Sequence, residues 1–242
     1  ESELDGLPAP VARYFRTVLL DGQPMIRRAR VVWDGQFNLG TPSNDTWKPF
    51  TALQEFVPIA AGFVWDARVA MLPGIPILVR DAFVNGEGSM HGAILGAYTV
   101  VRSRGTPAMA AAALQRYLAE AVWLPTALLP SQGVTWTSID AISARATLAS
   151  GGTTVSLDVA FGTDGLITSV FSPDRLYDDG KSPPVPRPWR ATIVRYGERN
   201  GVTVPIESHV AWDLPSGPFQ YWRGAPAAIV YDYATTSQAR WP

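Results

Sequence analysis

Between its glycines and prolines the chain repeats one motif: short runs, rich in Val, Ile, Thr and aromatics, in which apolar and polar side chains alternate. Period two puts successive side chains on opposite faces, as in a half-buried antiparallel strand. Such runs cover residues 25–39, 50–57, 63–71, 75–84, 88–95, 134–139, 143–148, 153–161, 166–171, 190–196, 206–212 and 227–233. Gly151-Gly152 and Thr163-Asp164-Gly165 fall between runs, where a hairpin turn calls for residues that accept a positive φ. Two stretches change period. Residues 8–20 put Val11, Phe15 and Val18 or Leu19 on one helical face. Further on, Thr106 offers an N-cap and Pro107 a first-turn residue; Met109, Ala113, Leu114, Tyr117, Leu118 and Ala121 then recur at helical spacing until Pro125.

A five-strand block before the second helix and a longer block after it predict a mainly β (α+β) fold. The expected architecture is one large curved antiparallel sheet, a half-barrel, with an N-terminal helix and a central helix. The central helix and residues 123–129 would plug the concave face. A two-sheet sandwich is the alternative. Gly and Pro, 21 of each, are scattered as punctuation, so residues 1–242 read as a single domain.

Composition sharpens this picture. Hydrophobic residues make up 47% of the 242 and charged ones 17%, below the roughly 25% of an ordinary domain, so much apolar surface has to be buried. A net charge of -1 with interspersed signs argues against a nucleic-acid partner held by phosphate neutralisation. Without Cys there is no thiolate nucleophile, iron–sulfur cluster or Cys-based zinc site. No run approaches the roughly 20 apolar residues of a membrane-spanning helix. Walker A, G-x-S-x-G and dinucleotide fingerprints are missing, and position 91, where the last would need Gly, is His. No cofactor or metal is expected. The compartment is left open: cytoplasmic, or extracytoplasmic if an N-terminal signal or anchor has been removed.

Few charges remain to carry chemistry. Glu87, Ser89 and His91 share one strand face and Gly88, Met90 and Gly92 the other, so an inward-facing Glu87 and His91 would put acid–base groups in an apolar cup. Four residues along a strand span roughly 13 Å, too far for a direct dyad. Glu120 lies next to the helix's apolar stripe, four residues after Arg116; it is either a carboxylate aimed into the cup or half of an ion pair. Glu207 and His209 are best read as a solvent-facing stripe, and Asp66 and Arg68 as cross-strand ion-pair partners of Arg80 or Asp81. Trp65, Tyr117, Trp123, Trp136 and Trp222 are the aromatic candidates for lining a ligand cavity.

Several segments resemble a bacterial, largely actinobacterial, family of unknown function: Leu7-Pro8-Ala9-Pro10-Val11, Phe63-Val64-Trp65-Asp66-Ala67-Arg68, Gly86-Glu87-Gly88-Ser89-Met90, and above all the stretch from Arg116-Tyr117-Leu118-Ala119-Glu120 through Pro130-Ser131-Gln132-Gly133. Later pairs such as Pro188-Trp189 and Tyr221-Trp222 fit the same pattern. The resemblance covers nearly the whole chain. It implies a half-barrel like that of lipoprotein-carrier proteins, with a ligand site in the concavity, and brings no established activity. At position 91 the family pattern has an acidic residue more often than His. Two functions are therefore expected in competition. One is binding of an apolar small molecule or acyl chain. The other is a cofactor-independent hydrolase, lyase, isomerase or cyclase using His91, Glu87 and Glu120 on a hydrophobic substrate. A third, structural role would present apolar surface to a partner.

Overall fold

The computed structural model describes residues 2–72, 74–94, 98–178 and 183–234. Thirteen strands form one antiparallel sheet, in two sequential meanders. The first comprises β1 (Ile26–Asn38), β2 (Trp47–Val57), β3 (Gly62–Leu72), β4 (Ile75–Val84), β5 (Glu87–Ile94) and β6 (Tyr98–Arg104). The second comprises β7 (Val134–Ser138), β8 (Ser143–Ser150), β9 (Thr153–Phe161), β10 (Ile167–Tyr177), β11 (Val185–Arg199), β12 (Val202–Leu214) and β13 (Gly217–Tyr233). Each strand pairs with its sequence neighbours, and β1 pairs with β13, so the spatial order runs β6 to β1, then β13 to β7. The single sheet rules out the sandwich. The expected strand over 88–95 is β5, its last position, Leu95, lying outside the described residues.

This topology puts the sheet's two edges, β6 and β7, at consecutive places in the sequence, joined by α2 (Pro107–Glu120) and three 3-10 turns, Ala121–Trp123, Pro125–Leu128 and Pro130–Gln132. The connection has to cross the sheet, and it does so over the concave face. Helix α2 packs on β4 and β5 at one side and on β9 and β10 at the other. Thr106 accepts a hydrogen bond from the Met109 amide at 3.1 Å and Pro107 occupies the first turn, so the helix starts where its caps place it. The shorter helix α1 (Ala9–Val18) packs on β8, β9 and β12.

A buried irregular segment needs partners for its backbone. After α2 they come from the sheet and from neighbouring side chains. Tyr231 donates to the Trp123 carbonyl at 2.8 Å, Trp136 Nε1 to the Leu128 carbonyl at 3.0 Å, and Thr126 Oγ1 accepts from the Ile26 amide at 3.1 Å. Trp123 Nε1 donates in turn to the Pro205 carbonyl at 2.8 Å.

Close backbone approaches set the curvature. A Cβ at Gly88 would run into the Met109 carbonyl, so the first turn of α2 sits directly on β5. The β4–β5 and β8–β9 turns, far apart in the sheet order, meet at Gly86 and Gly151. Both have positive φ (83° and 56°), and a Cβ on either would strike the backbone of the other. The two arms of the sheet thus touch at their tips around α2. Gly151→Ala combines an unfavourable φ with a clash against backbone, and is expected to lower stability by about 1–3 kcal/mol in urea unfolding; an unchanged midpoint would show that the tips can part freely.

Tyr14, fully buried in α1, has a hydroxyl with no hydrogen-bond partner among the described residues. Burial raises the pKa of Tyr14, Tyr117 and Tyr231 above the ordinary phenol value of about 10. A raised folded-state pKa means stability that is intact below pH ~10 and declines as pH rises toward the folded-state values. Tyr14→Phe removes an unsatisfied group and should gain roughly 1 kcal/mol at pH 7 and flatten the alkaline decline. Urea melts at pH 7 and 11 read both effects, and a loss of stability at pH 7 would contradict the assignment.

Candidate functional site

Between the C-terminal half of α2 and the sheet lies a cavity of about 390 Å³. Trp65, Val69, Ile77, Val79 and Met90 wall one side, Val170, Ala191, Ile193, Val210 and Trp222 the other, with Val122 and Trp123 from the turn after α2. Strand alternation explains the wall. Trp189, Ala191 and Ile193 are successive same-face residues of β11, opposite Trp212, Val210 and Ser208 of β12. Leu39 borders the cavity while 47% exposed, and its β1 neighbour Phe37 pairs with Trp222, which marks the rim at that end of the sheet.

Four charged side chains border this apolar space: Asp81, Arg116, Glu120 and Arg175. The first three form a tight group. Arg116 donates from Nη1 to Asp81 at 2.5 Å and from Nε to Glu120 Oε1 at 2.9 Å, with its guanidinium carbon 4.8 Å from the Trp65 ring centre. Gln54 Nε2 donates to the other Glu120 oxygen at 2.6 Å and its Oε1 accepts from Trp33 Nε1 at 2.9 Å. Burial acts to lower the Arg116 pKa, but Glu120 and Asp81 more than offset it, so the pKa is raised. Both Glu120 oxygens are occupied, which is the ion-pair alternative for that residue.

Arg175 is different. Its Nη1 donates to the Ala112 carbonyl at 2.9 Å and to Gln115 Oε1 at 3.2 Å, and its guanidinium carbon lies 5.0 Å from the Trp189 ring centre. Among the described residues no carboxylate lies within ion-pair distance of it. Burial lowers its pKa, and the fields of Tyr221, Asp81 and Glu120 offset only part of that. Trp189 Nε1 donates to the Tyr221 hydroxyl at 3.0 Å, leaving the Tyr221 proton free to be donated elsewhere. Ser208, 5% exposed, borders the cavity with a hydroxyl lacking any partner among the described residues.

A family model for a family of unknown function matches residues 1–224. The chain belongs to the DUF6544 family. No curated protein matches it. Among solved structures the chain is similar to a DUF1329 family protein from Desulfovibrio piger, with 12% identity, a TM-score of 0.49 and 96% of each chain covered. A LolA superfamily protein from Nitrosomonas europaea is similar at 7% identity and a TM-score of 0.43, over 95% of this chain and 94% of that one.

The structure separates the residues singled out from the sequence. Trp65, Trp123 and Trp222 border the cavity. Tyr117 and Trp136 are packed elsewhere: Tyr117 against Phe56, Trp136 against Phe15 and Phe161. Of the acid–base candidates only Glu120 borders the cavity. Met90 and Gly92 of β5 face inward, so Glu87 and His91 fall on the outer face. Glu87 there meets Arg104 at 3.4 Å, and His91 Nε2 lies 3.4 Å from Thr99 Oγ1. An inward-facing Glu87 and His91 is thus corrected by the β5 register: the face that carries Gly88, Met90 and Gly92 turns inward, and at Gly88 the backbone of α2 leaves no room for a side chain. Glu207 pairs at the surface with Arg195 at 3.5 Å. Among the described residues no three His, Asp or Glu converge as metal ligands would.

Arg175 escaped the sequence pattern because alternation breaks after Phe171. Pro173 and Asp174 interrupt the run, and the β10–β11 register shifts between Ser172 and Arg175. A bulge of this kind re-aims a side chain, and Pro after a Ser in a strand is its visible trace.

Adjacent residues of β4 provide a contrast. Arg80 pairs outward with Asp66, at 2.6 and 2.8 Å, while Asp81 turns inward to Arg116. Removing the exposed partner, Asp66→Ala, should cost at most about 1 kcal/mol. Asp81→Ala leaves a buried guanidinium short of a partner and should cost about 3 kcal/mol or more. Parallel urea denaturation of the two variants checks this; equal losses would refute the contrast between an exposed Asp66 pair and a buried Asp81 pair.

Proposed function

We propose that the protein binds an apolar small molecule or an acyl chain in the concavity of its half-barrel. One observation supports this above others: the cavity of about 390 Å³ is walled almost wholly by aliphatic and aromatic side chains from both arms of the sheet. That size and lining suit a small ligand whose affinity comes from removing apolar surface from water. Trp65, Trp123 and Trp222 are the aromatic contacts from the expected set. The competing catalytic reading has weaker support, because Glu87 and His91 face outward and both Glu120 oxygens already accept hydrogen bonds.

Native mass spectrometry with solvent extraction of the purified protein should detect a co-purifying apolar molecule at a simple stoichiometry. Added ligand should quench or shift tryptophan fluorescence, and Val210→Trp, which fills the cavity, should weaken binding at least tenfold. If medium-chain amphiphiles bind Val210→Trp as well as they bind the parent, the cavity is not the site.

A further inference from the structure

The charges bordering the cavity are unequally provided for. Asp81, Arg116 and Glu120 complete one another's hydrogen bonds within their own group, with Gln54 taking the remaining Glu120 oxygen. Arg175 has only neutral acceptors, both on Nη1, while its Nε and Nη2 donors have none among the described residues. A guanidinium facing an apolar space without a carboxylate in contact is costly unless something supplies the missing acceptors.

Its neighbours are donors as well. Tyr221, also bordering the cavity, accepts from Trp189 Nε1, and its own O–H has no acceptor among the described residues. Arg175 and Tyr221 lie close enough for each to shift the other's pKa, and Trp189, stacked under Arg175, holds both in place. The result is one end of an apolar cavity furnished with N–H and O–H donors and a positive charge. From Trp189 the inward row of β11 continues through Ala191 to Ile193, a further span of roughly 13 Å of apolar wall.

We infer that the ligand is a single-chain amphiphile with an anionic head, a carboxylate or a phosphate, seated on Arg175 and Tyr221 with its tail along the Ala191–Ile193 wall. The inference rests on the apolar-binding reading above and adds the head group to it. The planar fork of Arg175 offers paired donors to two oxygens of such a head, and Tyr221 offers a third donor. Arg116 cannot serve in this way, since two carboxylates already neutralise it.

The test compares ligands of one tail length on the parent protein, below their micellar concentrations: decanoate, decyl phosphate, 1-decanol and decylammonium, titrated by tryptophan fluorescence and calorimetry. At least one anion should bind ten times or more tighter than decanol, decylammonium more weakly than decanol, and the preferred anion identifies the source. Arg175→Gln should lose the preference while keeping decanol affinity, which also reports that the variant is folded; Arg175→Lys should restore part of it. If Arg175→Gln fails to fold, the parent series with Tyr221→Phe, expected to lose several-fold for the anion alone, decides the matter. Equal binding of decanol and both anions, or an anion preference that survives Arg175→Gln, overturns the head-group assignment and leaves the apolar cavity standing. No binding by any of the four overturns both.

Discussion

The seating of one helix on the sheet governs the rest of the molecule, and a chain of buried polar contacts does the seating. Trp33 of β1 donates to Gln54 of β2, Gln54 to Glu120, and Arg116 to both Glu120 and Asp81 of β4. Three strands are thereby tied to one turn of α2 by directional bonds in an apolar setting, where an unmade bond costs more than a made one gains. Apolar packing alone would let the helix slide or roll over the smooth concave face. The polar chain fixes its position and rotation, and so fixes which part of the concavity stays open beside it.

That open part inherits its character from the sheet. Strands β3 to β5 and β10 to β13 contribute the residues of one face, and since alternate residues face away, much of the charge of these strands is spent outside in pairs such as Arg80–Asp66 and Arg195–Glu207. A low overall charge content therefore does not spread evenly: the interior is left with four charged side chains beside the cavity, each of which must be accounted for by a contact.

Much of this was legible from residue order alone. Twelve strands, both helices and the capping of α2 by Thr106 follow from period and punctuation, because a half-buried sheet and an amphipathic helix write themselves at fixed spacing. β6 was not, since Val100 and Val101 in succession break the alternation. The site was legible in part. Glu120 and Arg116 stand out through their i,i+4 spacing beside an apolar stripe. For Glu87 and His91 the choice of face depends on a register that strand periodicity leaves open, and the packing of α2 against Gly88 decides it. Arg175 lies past a bulge, where period two no longer says which way a side chain points.

The pairing of β1 with β13 has a bearing on how the sheet comes into being. The central ladder joins residues 26–37 to residues 222–233, so the two meanders can each grow by local hairpins but can be united only after almost the whole chain is available. Until then each meander presents β1 or β13 as a long unpaired edge, and each lacks the other half of the surface that covers α2. Such non-local closure slows folding and exposes edges to wrong partners. During synthesis the first half of this protein must therefore wait, with its inner ladder open, for the last strand to arrive.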